Sequence, residues 1–314
     1  MKARVPLSRI CLAGVATWFL LSATLASAQF VDVSSEAGLS AARKKTWGNP
    51  VWGDFNHDGF LDLIVPDHGL AASQGPFVYL NSGGTSFVDI RPTCGITKAP
   101  AFDSTDWHGY AMGDFDGDGN VDLYIAEGAK GNVGGADKRD LLFHSNGDGT
   151  FTNVSVAAGI LVTRHRGRGA LWFDFDNDGQ LDLLVKNFSD VNDLYKNNGN
   201  GTFSLVPNAA GLAYATSGVD AGSIMAMADY DNDGYMDIAF TGDNDALALY
   251  RHMNDGTYAD VTSAAGITFA PNSKGMAWGD YDNDGLIDLY IARGQLSKTS
   301  SAGTLYRNNG NGTF

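Results

Sequence analysis

The chain has 314 residues, with 36 acidic against 21 basic side chains and a formal net charge of −15. An acidic balance of this size repels phosphate backbones, which argues against nucleic acid or anionic lipid as a main partner. Cys11 and Cys94 are the only cysteines, too few for the disulfide framework that small exported scaffolds rely on.

The first residues read as an address. Lys2, Arg4 and Arg9 precede an apolar run from Ile10 to about Leu25, and Ala26-Ser27-Ala28 supplies small residues for cleavage before Gln29. The run is shorter than the roughly 20 residues needed to span a bilayer. The expected organisation is a signal peptide over 1–28 and one domain over 29–314, secreted or periplasmic, with no transmembrane segment in the mature chain. Removing 28 residues leaves 286, and the loss of three basic residues takes the charge to −18. Cys11 leaves with the signal, and Cys94, aligned with alanines elsewhere, reads as a small core residue.

Five acidic segments then align along the chain: Asp54–Asp62, Asp114–Asp122, Asp174–Asp182, Asp229–Asp237 and Asp280–Asp288. Their starts lie 60, 60, 55 and 51 residues apart. Two further signatures keep the same beat. One is a turn, as in Asn146-Gly-Asp-Gly-Thr-Phe151 and Asn309-Gly-Asn-Gly-Thr-Phe314. The other is Phe-x-Asp-Val followed by Ala-Gly-Ile, as in Asp260-Val to Ala265-Gly-Ile267, with Leu205-Val to Ala210-Gly-Leu212 as a weaker copy. The repeats run approximately 30–86, 87–150, 151–202, 203–257 and 258–314.

Each repeat predicts four short strands. The first precedes the acidic loop (Ala277-Trp278-Gly279) and the second follows it (Leu61–Val65, Val121–Ile125), rich in β-branched and aromatic residues. The third is Leu305-Tyr306-Arg307 and its counterparts before the Asn-Gly turn, and the fourth is the Phe-x-Asp-Val element. Such a small antiparallel sheet cannot bury its faces alone, so copies stack radially. The expected fold is all-β: a β-propeller of four-stranded antiparallel blades, five repeats present. A linear β-solenoid is the alternative, although its repeats are usually shorter.

The loops offer side-chain oxygens at positions 1, 3, 5 and 9, with Gly always at 6. The candidate metal ligands are Asp54, Asn56, Asp58, Phe60 and Asp62; Asp114, Asp116, Asp118, Asn120 and Asp122; Asp174, Asp176, Asp178, Gln180 and Asp182; Asp229, Asp231, Asp233, Tyr235 and Asp237; and Asp280, Asp282, Asp284, Leu286 and Asp288. Position 7 varies freely, as expected where only its carbonyl binds. Hard oxygen donors in this number suit Ca²⁺, about one ion per repeat. An EF-hand would need Glu at position 12 between helices, whereas position 12 is Val65, Ile125, Val185, Phe240 or Ile291. The blander reading is that Asp, Asn and Gly simply make good turns, and five matching copies weigh against it. The loops hold 19 of the 36 acidic residues, and five Ca²⁺ ions would bring the mature charge to −8. His57 reads as exposed and not a ligand.

The Asp-x-Asp/Asn-x-Asp-Gly-x-x-Asp pattern resembles the FG-GAP/VCBS repeat, the unit of the integrin α-subunit propeller. Together with Phe-x-Asp-Val-x-x-x-Ala-Gly-Ile, the stretch Gly275 to Gly285 and Leu305 to Phe314, it is similar to bacterial relatives of cartilage acidic protein, of ASPIC/UnbV type. The resemblance covers about Phe30 to Phe314. It implies a propeller usually of seven blades, with calcium in the loop joining the first two strands of a blade. It also implies a C-terminal ASPIC/UnbV domain in many relatives, absent here, so a C-terminally truncated fragment is expected. The alternative is a strand near Phe30 that completes the last sheet and closes a five-bladed ring.

The resemblance further implies that partners meet the face opposite the metal loops. There lie Trp47, Trp107, His108, Arg166, Arg168, Asp220 and Lys274, with the loops Glu127 to Asp140 and Arg293 to Gly303. The expected function is an extracellular protein- or glycan-binding scaffold with structural calcium, not an enzyme. The rival is a carbohydrate-active lyase or dehydratase, with His108 or His165 as base and Arg166 or Arg168 as electrophile. No nucleophile elbow or zinc motif supports it, and Gly131 to Gly135 lacks the helix a phosphate loop needs. The sequons at Asn153, Asn187, Asn200 and Asn311 are read as structural, two of them belonging to the repeat's turn.

Overall fold

The alternation of short β-branched runs with Gly- and Asn-rich turns produces five antiparallel sheets in chain order. The computed structural model describes residues 30–39, 49–66, 75–96, 107–128, 140–160, 166–188, 191–212, 224–241, 247–268, 273–293 and 303–314. Blade 1 comprises β1 (Val51–Gly53), β2 (Asp62–Val65), β3 (Phe77–Ser82) and β4 (Ser86–Asp89). Blade 2 comprises β5 (Trp107–Gly113), β6 (Asp122–Glu127), β7 (Leu141–Ser145) and β8 (Phe151–Asn153). Blade 3 holds β9 (Arg166–Phe173), β10 (Asp182–Phe188), β11 (Asp193–Asn197) and β12 (Phe203–Leu205). Blade 4 holds β13 (Ile224–Ala228), β14 (Asp237–Thr241), β15 (Ala248–His252) and β16 (Tyr258–Asp260). Blade 5 has three strands, β17 (Ser273–Gly279), β18 (Asp288–Arg293) and β19 (Thr304–Tyr306). Every strand pairs antiparallel with its sequence neighbour, the meander of a propeller blade.

Residues Ser34–Phe314 form one compact unit, and Met1–Val33 are a second. The expected signal peptide lies outside the described residues. Phe30–Val33 carry no strand, and among the described residues blade 5 has three. No helix among the described residues is long and apolar enough to cross a membrane.

The core is divided into slabs between blades. Alternating side chains on each second and third strand serve opposite neighbours, as the period of two requires. Leu123 and Ile125 thus pack toward blade 1 with Phe55, Ile64 and Val78, while Tyr124 and Ala126 pack toward blade 3 with Trp172, Leu183 and Val185. Equivalent slabs join blades 3 and 4 and blades 4 and 5. The first strands of successive blades pack together. Between β5 and β9 this contact needs glycine: a Cβ on Gly109 would lie 2.6 Å from the Cα of Gly169.

The aromatic at loop position 2 anchors each slab. Phe115 stacks on Trp172 at 6.2 Å and Tyr230 on Trp278 at 6.3 Å. A backbone latch ties the tail of one repeat to the aromatic that follows the Asn-Gly turn of the next, at the start of the fourth strand in blades 1 to 3. Phe87 N donates to Ala37 O, Phe151 N to Cys94 O, Phe203 N to Ala158 O and Phe314 N to Ala265 O, at 2.7–2.8 Å. Cys94 is fully buried at this latch, as a core residue.

The weak copy after blade 3 folds differently. Elsewhere Asp89, Asn153 or Asp260 accepts the N–H two residues on, starting the tail turn. Leu205 has no acceptor and Pro207 no N–H, and Asn208, Ala209 and Ala210 take positive φ instead.

The position-2 aromatic of blade 5, Tyr281, is 54 % exposed, whereas Phe115 is 4 % exposed. Phe115→Ala is therefore expected to cost about 3–5 kcal/mol, and Tyr281→Ala under about 1 kcal/mol. Urea titrations of the two variants measure the contrast, and equal losses would contradict the slab assignment.

Candidate metal centres

Each acidic segment forms the turn between the first and second strands of its blade. Position 4, occupied by His57, Gly117, Asn177, Asn232 or Asn283, and the Gly at position 6 both have positive φ. Asn and Gly tolerate that region best, so the loop's conformation explains its composition. His57 is exposed, as expected, and its Nε2 lies 2.5 Å from Asn120 Oδ1 in the neighbouring loop.

The carboxylates organise the turn through backbone N–H groups. The position-1 aspartate accepts from the N–H groups of positions 5 and 6, for example Asp174 from Asp178 at 3.0 Å and Gly179 at 2.8 Å. The position-5 aspartate accepts from position 7: Phe60, Asn120, Gln180, Tyr235 and Leu286 donate to Asp58, Asp118, Asp178, Asp233 and Asp284 at 2.7–3.0 Å.

Position 9 is the hub. Asp62, Asp122, Asp182, Asp237 and Asp288 are at most 1 % exposed. One oxygen accepts from the position-2 N–H, as Asp182 does from Phe175 at 3.0 Å. The other accepts from the third strand: Asn81, Ser145, Asn197, His252 and Asn308 donate at 2.7–2.9 Å. Asn197 Nδ2 then donates to Phe115 O, and Asn308 Nδ2 to Tyr230 O, each at 2.7 Å, stitching a blade to the loop before it.

The turn brings the position 1, 3 and 9 oxygens of loops 2 to 5 within 4.8 Å of one another: Asp114, Asp116 and Asp122; Asp174, Asp176 and Asp182; Asp229, Asp231 and Asp237; Asp280, Asp282 and Asp288. In loop 1 Asn56 replaces the third-position carboxylate, and Asp54 and Asp62 remain. Asp176 Oδ1 and Asp231 Oδ1 are buried and accept no hydrogen bond. Orphaned anionic oxygens beside two other carboxylates are the donor set of a hard cation, so the residues fit Ca²⁺.

Sequence reasoning missed the strand that overlooks each loop. Lys196 pairs with Asp176 and with Asp178, the latter at 2.8 Å. Arg251 reaches Asp231 at 2.5 Å and Asp233 at 3.2 Å, and Arg307 reaches Asp282 and Asp284 at 2.8 Å each. The signal was the residue before Asn in Leu-Tyr-Arg-Asn-Asn-Gly, quoted as a strand but not as a partner of the loop.

On the opposite end of the blades, His108 and Arg168 converge on Gly128, where a Cβ would strike both side chains. Arg168 donates to the carbonyls of Gly128 and Gly167 at 3.1 and 3.2 Å, which ties its guanidinium to backbone. Trp107 is buried in the slab between blades 1 and 2. Trp47, His165, Asp220 and the interiors of the two long loops lie outside the described residues.

Fold and loops together define a propeller of acidic-loop repeats. The chain belongs to the FG-GAP-like repeat family, whose model matches residues 132–185, 187–240 and 229–291. Over 165 residues it is 27 % identical to cartilage acidic protein 1 of Homo sapiens and 26 % identical to that of Mus musculus, covering 50 % of this chain. The matched stretch spans 24 % and 25 % of those relatives' length. Among solved structures, an Agrocybe aegerita lectin that recognises non-reducing terminal N-acetylglucosamine aligns with a TM-score of 0.54. It is 19 % identical, and the alignment covers 88 % of this chain and 67 % of that one, a likeness of fold alone.

Burial raises Asp122 to about 7, Asp237 to about 7 and Asp182 to about 6, against the backbone N–H groups that favour ionisation. The native carboxyls thus hold protons more tightly than the unfolded chain. Without metal, stability should fall as pH rises from about 4 to about 7. Melts in chelator should give a higher Tm near pH 5.5 than near pH 7.5, and the opposite slope would contradict this account.

Proposed function

We propose that the chain is an exported calcium-binding propeller that serves as an extracellular protein- or glycan-binding scaffold, its Ca²⁺ ions structural. The organisation is a signal peptide over 1–28 and a propeller over 29–314. The observation that carries the calcium reading is the repeated convergence of position 1, 3 and 9 carboxylates, with an orphaned buried oxygen on Asp176 and on Asp231. Ionised oxygens so close together repel one another, and a divalent ion in their midst turns that repulsion into attraction. Extracellular modules of this kind bind at roughly 10⁻⁴–10⁻³ M.

The ions would fix the turns that hold the first, second and third strands of a blade in register. The scaffold reading follows from a rigid fold in which the acidic loops are committed to architecture. It leaves recognition to the opposite end of the blades, where loops differ most between repeats.

Calcium at about 100 times its Kd should stabilise the fold by about 2.7 kcal/mol per coupled site. Calorimetry in EDTA and in millimolar Ca²⁺ checks this, and an unchanged Tm sinks the calcium reading. A glycan array that includes terminal N-acetylglucosamine tests the partner class, with polysaccharide turnover as the outcome that would favour an enzyme.

A further inference from the structure

The five loops are overlooked by different residues at one position of the third strand: Leu80, His144, Lys196, Arg251 and Arg307. In blades 3 to 5 this residue is a fixed cation in direct contact with the loop carboxylates. Loops 3, 4 and 5 therefore combine four carboxylates with one cation and net −3, counted from the sequence. Loop 1 has three carboxylates and faces Leu80, also −3. Loop 2 alone keeps four carboxylates beside an imidazole, counted as neutral, and nets −4.

His144 stands back from the carboxylates where Lys and Arg close on them. Its Nδ1 is 3.3 Å from Asp116 Oδ2 and 3.3 Å from Asp122 Oδ1, and its Nε2 is 3.7 Å from Asp118 Oδ2. Nδ1 is buried and makes no hydrogen bond. Phe115 meets the ring edge-on, and Asp122 is fixed by the N–H groups of Phe115 and Ser145. Donors at about 2.0–2.2 Å from a tetrahedral ion lie roughly 3.3–3.5 Å apart. Nδ1 already has that spacing to one oxygen of Asp116 and one of Asp122, and His144, Asp116 and Asp118 offer donor atoms that all lie within 4.8 Å of one another. Nitrogen donors favour first-row transition ions, whereas Ca²⁺ takes oxygen.

We propose that loop 2 is a mixed nitrogen–oxygen site, built from His144, Asp116 and Asp122, that takes a first-row divalent ion such as Zn²⁺ ahead of Ca²⁺. This rests on the reading of the acidic loops as cation sites. Of the other loops, loop 1 turns its own His57 to Asn120 of loop 2, and loops 3 to 5 spend charge on their own Lys or Arg.

The test is Zn²⁺ titration of the full chain in excess Ca²⁺, with Co²⁺ absorption as a reporter of nitrogen ligation. One equivalent should bind, and His144→Leu should weaken it at least about tenfold, the scale on which even supporting partners of metal ligands act. Blade 1 already carries leucine at this position, so the fold accepts the change; Lys196→Leu is the control that should leave Zn²⁺ binding intact. Calcium filling every loop with no Zn²⁺ preference, or equal Zn²⁺ binding by His144→Leu, overturns the proposal while sparing the calcium reading. Failure to bind either ion overturns both.

Discussion

In every blade the carboxylate at loop position 9 is stripped of water and held by two backbone N–H groups. One comes from the turn itself and the other from the third strand, 15 to 23 residues away. A buried aspartate so placed has no freedom to move without orphaning a donor, and an orphaned buried donor costs about 1–3 kcal/mol. The turn, the two strands it joins and the strand beyond are thereby set in one register. Asn197 and Asn308 extend the same network to the preceding blade.

That arrangement creates an electrostatic debt, since the anchoring carboxylate shares its turn with two or three more. The fold meets it in different currencies from blade to blade. Lys196, Arg251 and Arg307 lay a cation across positions 3 and 5, loop 1 omits a charge by using Asn56, and loop 2 does neither. Identical turns thus sit in unequal fields, a difference invisible when the nine-residue segments are read alone.

Much of the architecture was legible because the repeat states it five times. Gly at position 6 and Asn or Gly at position 4 announce two positive-φ residues, and alternating apolar residues in Leu123 to Ile125 announce a strand with both faces buried. Each inference needed only local rules of backbone geometry and period. The unread part was long-range. Nothing near Asp176 in the sequence says that Lys196 lies across it, and nothing near Phe115 says that Asn197 caps its carbonyl, because both pairings depend on strand register and stacking. The tail after blade 3 shows the converse, where Leu205 and Pro207, in place of an acceptor and a donor, redirect the turn although the aligned pattern survives.

The latch from Ala37, Cys94, Ala158 or Ala265 to the next repeat always points toward the following blade. Blades 1, 2 and 3 therefore receive their final strand's register from the tail before them, and the same bond seats Phe314 in blade 5, while the step from blade 3 to blade 4 runs through the redirected tail. Energetic coupling in such a chain is nearest-neighbour, as in stacked repeat arrays. Order can spread from the ribosome-first end without waiting for distant segments, and damage in one blade is confined to its two neighbours.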